Sequence, residues 1–248
     1  MSSTPNIYES QQLLDQYLLF HYASAEETLA WDFGPDTALN FAQRTVDETF
    51  DWDRVEPKNP RALDIGCAVG RSSFELSKRC GEVIGIDFSQ AFVDAAELVR
   101  ARGELAYERL DEANETTPLT AKTPLGSNPD RIKFEQGDAM ALRPDLGEFD
   151  LVHAANLLCR LPEPLRFLQQ LPGLVRSGGQ FAITTPCTWL EEFTPRENWP
   201  TGTTLEFLET NLSADFELLK SAEMPFLIRE TRRKHQWTVA QASLWLRR

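Results

Sequence analysis

Leu63-Asp64-Ile65-Gly66-Cys67-Ala68-Val69-Gly70-Arg71 reads as an apolar strand that runs into a glycine-bearing turn and leaves it as a helix. Gly66 permits the tight turn, and Gly70 lets helix and strand approach closely. Outward from this stretch the chain alternates. Strands are predicted over 61–65, 82–87, 131–136, 149–153 and 180–185. Helices are predicted over 68–80, 90–102 (with Ser89 as N-cap), 165–175 and 204–219. Strand–helix alternation implies a parallel sheet covered on both faces. Two last strands, near 225–230 and 236–245, have only a short connector and so predict an antiparallel hairpin. The expected fold is α/β and Rossmann-like, with a mostly parallel sheet.

Residues 1–60 read as a helical cap belonging to the same globule as 61–248. Leu14, Tyr17, Leu18, His21 and Tyr22 fall on one helix face. A second helix is expected over 36–50, after Gly34-Pro35. Residues 104–129, rich in Thr, Glu and Pro, read as a polar surface excursion or loop.

Of the 248 residues 42% are hydrophobic, enough for a sizeable core, and the formal charge is −13. That field repels phosphate-rich partners, so a small-molecule substrate is expected and nucleic acid is not. The cluster Arg232, Arg233 and Lys234 is then a solvated turn or a local anion site. No apolar run is long enough for a membrane span, and MSSTPNIYES lacks a secretory pattern. Cys67, Cys80, Cys159 and Cys187 form no CxxC pair, and His21, His153 and His235 lack metal-ligand spacing. Reduced thiols, a cytoplasmic location and no metal are expected; oligomeric state is left open.

Asp87 ends the second strand, 21 positions after Gly66, where a carboxylate accepts hydrogen bonds from both hydroxyls of an adenosine ribose. Dinucleotide enzymes share that geometry, but three details favour S-adenosylmethionine, with S-adenosylhomocysteine as its product. The turn reads GxAxG rather than GxGxxG. Asp64 precedes it, where an anion faces a cationic methionine end and disfavours a diphosphate. The third strand ends in Gly137-Asp138-Ala139-Met140, placing Asp138 and the Ala139 amide beside an adenine. The cofactor set is Asp64, Gly66, Ala68, Gly70, Asp87, Phe88, Asp138, Ala139 and Asn156, the last also a candidate for binding substrate. A nicotinamide oxidoreductase and a non-catalytic binding module are the competing readings.

ALDIGCAVGRSSFELS and VIGIDFS resemble the seven-stranded class I methyltransferases over about 60–248. YLLFHYAS, DLVHAANLLCRL, TPCTWLEEFTPRENW and RKHQWTVAQASLW extend this to almost the whole chain, and together they resemble the N-methyltransferases of ovothiol biosynthesis. Pro200-Thr201-Gly202 departs from that pattern in being less glycine-rich. The resemblance implies a stand-alone form that methylates the imidazole π nitrogen of 4-mercaptohistidine (5-thiohistidine) to give ovothiol A. Such an acceptor needs a base, or a hydrogen bond to orient its ring, for which Tyr17, His21 and Tyr22 are candidates. Its carboxylate wants a guanidinium, Arg44 or Arg160. Trp189 and Glu191, with Glu192, follow the fifth strand, where an acidic group can anchor the ammonium. The alternative acceptor is another small amine, carboxylate or thiol.

Overall fold

The computed structural model describes residues 7–248; residues 1–6, which begin both the cap and the stretch read as lacking a secretory pattern, lie outside the described residues. The chain opens with a 3-10 turn, Ile7–Glu9, and helix α1, Gln11–Tyr22. Ser10 caps α1 by accepting from the Leu13 amide. A short helix α2, Ala25–Thr28, follows, with a complete capping box between Ser24 and Glu27. The predicted helix over 36–50 is shorter. Asn40 adopts φ 56°, which separates a 3-10 turn from α3, Phe41–Asp47.

Strands β1 (Arg61–Ile65) and β2 (Glu82–Asp87) flank helix α4, Arg71–Ser77. That helix starts three residues later than predicted, because Ala68 and Gly70 have φ of 47° and 87° and cannot lie in a right-handed helix. Helix α5, Gln90–Arg102, starts at the predicted Ser89 cap. The polar excursion is an ordered hairpin, β3 (Glu104–Glu112) with β4 (Glu115–Lys122), turned at Ala113-Asn114. Its alternation was obscured by exposed charges, but Tyr107 and Ala121 point into the core.

The remaining elements are β5 (Ile132–Gln136), β6 (Phe149–Ala155), α6 (Pro164–Leu174), β7 (Val175–Thr185), α7 (Thr204–Leu212), β8 (Phe216–Arg229) and β9 (His235–Arg247). The predicted helix over 204–219 yields to β8, which begins at Phe216, well before the strand expected near 225–230.

The sheet order is β5-β2-β1-β6-β7-β9-β8, parallel from β5 to β7 and antiparallel at β9 and β8. Its inner strands are buried on both faces, which explains why apolar residues dominate them. One face packs Phe167, Leu171 and Trp245 beneath α6 and α7. The other packs Leu18, Val46, Phe74 and Val99 from α1, α3, α4 and α5, so the cap shares a core with the sheet. Chain direction across the sheet reverses between β1 and β6, which opens a crevice beyond their carboxyl ends.

Candidate active site

The turn quoted at the outset sits at that crevice. Gly66 and Cys67 both donate their amides to the Ile86 carbonyl, at 2.8 and 3.0 Å, which hangs the turn from the end of β2. Gly66 has φ 74°, and a Cβ there would lie 3.1 Å from the Leu157 side chain. At Gly70 a Cβ would come within 2.6 Å of the Phe134 ring and 2.9 Å of Ala96. Gly70 is therefore required by contact as well as by conformation, and Gly66 by conformation.

At the tip of β2 the Asp87 carboxylate accepts from the Ala68 amide at 2.8 Å and the Ser89 amide at 2.9 Å. Burial raises its pKa to about 6, against the lowering effect of those amides. Phe88 beside it is 63% exposed. At the tip of β5 the Asp138 Oδ1 accepts from the Met140 amide, and Ala139 is buried. Asn156, beyond β6, has φ 52° and is held by its amide on the Thr184 carbonyl and by a Thr184 hydroxyl bond to Oδ1. A glycine cradle, a partly open carboxylate at the next strand tip and an exposed ring beside it fit an adenosyl ligand. Asp87, Phe88 and the Asp138–Ala139 corner would hold its sugar and base, and the 66–70 turn its chain.

Asp64 departs from its expected role. The side chain is buried, with Oδ2 accepting from the Ser73 hydroxyl at 2.6 Å and Oδ1 bonded to His153 Nδ1 at 2.8 Å. It ties β1 to β6 and α4 from the inside and does not open toward a ligand. His153 is accordingly structural.

Helix α1 roofs the crevice and brings its candidates together. The rings of Tyr17 and His21 stack at 5.9 Å, and Tyr17 also packs on Phe92 and Tyr8. Burial raises the Tyr17 pKa, so its phenol stays protonated. His21 Nδ1 is buried without a hydrogen-bond partner. Burial, reinforced by the Arg71 guanidinium, lowers its pKa to about 3. The ring is thus neutral at physiological pH and a feeble base, suited to orienting a partner by one hydrogen bond. Tyr22 is not free for catalysis, because its hydroxyl donates to the Val69 carbonyl at 2.7 Å and braces the 66–70 turn.

The acceptor-binding candidates divide. Arg160 lies in the 3-10 turn Leu158–Arg160 after β6, close enough to Tyr8 and Tyr17 for its charge to offset part of the rise that burial imposes on both their pKa values. Arg44 is elsewhere, pairing with Glu48 and donating to the Thr37 and Pro225 carbonyls, so it clamps α3 to β8. Trp189 packs on the α6–α7 core and donates to the Thr204 hydroxyl at 3.1 Å. Glu191 is exposed and paired with Arg196. Arg44, Trp189 and Glu191 therefore belong to the scaffold. Arg232 and Arg233 lie over the Trp31 ring in the β8–β9 turn.

Sequence reasoning missed Arg71 and Tyr8. Arg71 donates to the His21 carbonyl at 3.1 Å and pairs with the buried Glu75 at 2.7 Å, tying α1 to α4. Its position directly after Gly70 was a usable signal. Tyr8, whose carbonyl accepts from the Ser89 hydroxyl at 3.1 Å, had none, because it precedes any periodic segment.

Residues 63–181 match a family model described as a methyltransferase domain. That region is just under half of the chain, and its likeness is to methyltransferases. Over 132 residues it is 24% identical to a ubiquinone biosynthesis O-methyltransferase of Coxiella burnetii, covering 53% of this chain and 46% of that protein. Over 121 residues it is 30% identical to a demethylmenaquinone methyltransferase of Lactococcus lactis, covering 48% and 38%. The matched part thus spans less than half the length of either relative. Among solved structures, the magnesium protoporphyrin IX methyltransferase of Synechocystis PCC 6803, with bound S-adenosylhomocysteine, aligns over 97% of both chains with TM-score 0.60 and 15% identity, which shows the fold. The matched region includes every strand tip that carries the cofactor candidates, whereas the His21 roof lies outside it. Among the described residues no His, Cys, Asp and Glu cluster has metal-binding geometry, and no helix is long and apolar enough to cross a membrane.

Proposed function

We propose that this chain transfers a methyl group from S-adenosylmethionine to a small molecule, and that the acceptor is 4-mercaptohistidine, methylated at its imidazole π nitrogen to give ovothiol A. The observation that carries methyl transfer is the Gly66–Gly70 turn braced by Asp87 at the topological switch point, under a roof of Tyr17 and His21. When bound, S-adenosylmethionine supplies a methyl carbon activated by a positive sulfur. The protein then has to hold an acceptor lone pair in line at about 3–3.5 Å and keep water out. A buried, aromatic roof does the second. A neutral His21 with an unmatched Nδ1 suits the first, since an azole nitrogen already presents its lone pair and needs orientation more than deprotonation.

The choice of acceptor rests on the resemblance over 17–24, 150–161, 185–199 and 233–245, segments that form the roof, the turn after β6, the loop after β7 and strand β9. The quinone-pathway names of the relatives favour a second reading, in which the same domain methylates another small molecule. Incubation with S-adenosylmethionine and either 4-mercaptohistidine or plain histidine, with the new methyl group located by mass spectrometry and NMR, separates them. Methylation at the π nitrogen of 4-mercaptohistidine alone is expected; no product from it would reject that acceptor.

A further inference from the structure

The active-site crevice contains a guanidinium without a counter-ion. Arg160 is pinned from both sides: its amide donates to the Leu157 carbonyl at 2.8 Å, and the Thr194 hydroxyl closes on the Leu161 carbonyl at 2.7 Å. Its guanidinium lies over the Phe193 ring, 4.5 Å from the centroid, which fixes the plane of the fork. Nη1 is buried and has no hydrogen-bond partner. The other guanidiniums near buried positions are matched by carboxylates, Arg71 by Glu75 and Arg229 by Asp111. Among the described residues Arg160 makes no ion pair.

A permanently charged group that is desolvated and unpaired is costly, and a fold tolerates it where a ligand completes it. The neighbours identify which ligand. Arg160 and Asp87 act with opposite sign on the same two phenols, Tyr8 and Tyr17. Asp87 belongs to the cofactor end. Arg160 therefore offers the crevice a positive charge at a point the cofactor's sugar does not occupy.

From this we infer that Arg160 is the specificity-determining anchor for a carboxylate on the acceptor, received by Nη1 beside Tyr8 and Tyr17. The inference rests on the methyltransferase reading above. It adds to that reading the group that receives the acceptor's carboxylate, and with it the requirement that the acceptor's amide must fail. A planar fork fits a carboxylate, and an ammonium in its place keeps charge but loses the fork.

The test uses the full chain, wild type and Arg160→Gln and Arg160→Lys, with 4-mercaptohistidine and its carboxamide. Binding of S-adenosylhomocysteine by calorimetry reports that each variant folds with an intact cofactor end. The wild type is expected to prefer the acid over the amide by about 100-fold in kcat/KM, the scale of one buried charge-assisted contact. Arg160→Gln should lose that preference through KM with kcat little changed, and Arg160→Lys should recover part of it. A wild type that binds product and turns over both acceptors equally, or an Arg160→Gln variant that still discriminates, overturns the inference alone. Absence of product binding, or of turnover with either acceptor, overturns the proposed function on which it stands.

Discussion

The Asp87 carboxylate receives the Ala68 amide at 2.8 Å, so the tip of β2 holds the middle of the glycine turn in place. In the proposed function the same side chain, having braced the turn, also faces the cofactor ribose. Burial raises its pKa to about 6. A ribose hydroxyl donates to the ionised carboxylate only, so affinity for S-adenosylhomocysteine is expected to be full above pH 6 and to weaken below it. Asp87→Asn should bind at least tenfold more weakly, on the scale of roughly 1.5–3 kcal/mol for a hydrogen bond to a charged group. It should also show a flat profile between pH 5 and 8, near the reference carboxylate range. Calorimetric titration of both proteins across pH checks this.

His21 predicts an acid-sensitive fold. Its pKa falls from 6.5 to about 3 because the ring is buried. Between those values the unfolded chain binds a proton that the folded chain does not, so stability drops as pH falls from 6.5 toward 3. His21→Phe removes that proton and should flatten the slope of denaturation midpoint against pH over this window. The same variant should lower kcat/KM while leaving the pH dependence of turnover above pH 5 unchanged, since the ring is neutral there. An unaltered kcat/KM would remove His21 from acceptor orientation.

Gly70→Ala is expected to be severe. A Cβ at φ 87° would press within 2.6 Å of Phe134 and 2.9 Å of Ala96. Left-handed strain and overpacking together cost roughly 2–4 kcal/mol. Thermal denaturation should show the loss, and product binding should fall with it because the turn is displaced. Gly103→Ala offers a contrast. Its φ is 82° with nothing within 4 Å, so only the conformational part of the penalty, about 1–2 kcal/mol, is expected there.

Asp111 anchors the β3–β4 hairpin to β8 through Arg229, whose side chain is 1% exposed. Arg229 also donates to the Glu27 carbonyl at 2.9 Å, at the end of α2. Asp111→Ala leaves that guanidinium with carbonyls alone. It should destabilise the protein by about 3 kcal/mol, the lower end for breaking a buried pair. Amide exchange would be expected to rise first in 104–122, and uniform protection there would contradict the role.

What could be read from the sequence followed the core. Buried, largely apolar strands such as 61–65 and 82–87 were placed to the residue, because burial on both faces favours apolar residues throughout. The cofactor candidates came with them, since Asp87 and Asp138 stand where apolar runs end. The hairpin at 104–122 was illegible because its alternation is written in charged residues that pair across strands and with Arg229. The acceptor side was harder still. Arg44 and Arg160 look equivalent as letters, and only tertiary contacts show that one is saturated by Glu48, Thr37 and Pro225 while the other has an empty Nη1. The same holds for Asp64, whose inward engagement with Ser73 and His153 depends on residues 9 and 89 positions away.

Strand β9 lies between β7 and β8 and pairs with both over long registers. The central layer therefore cannot be completed until residues 235–247 have emerged from the ribosome, however early the half around β1, β2 and β5 collapses. During synthesis β7 waits with a bare edge, and β8 has nothing to lean on until its successor arrives. The edge of β7 left bare in that interval is the part of the sheet open to mispairing with another chain.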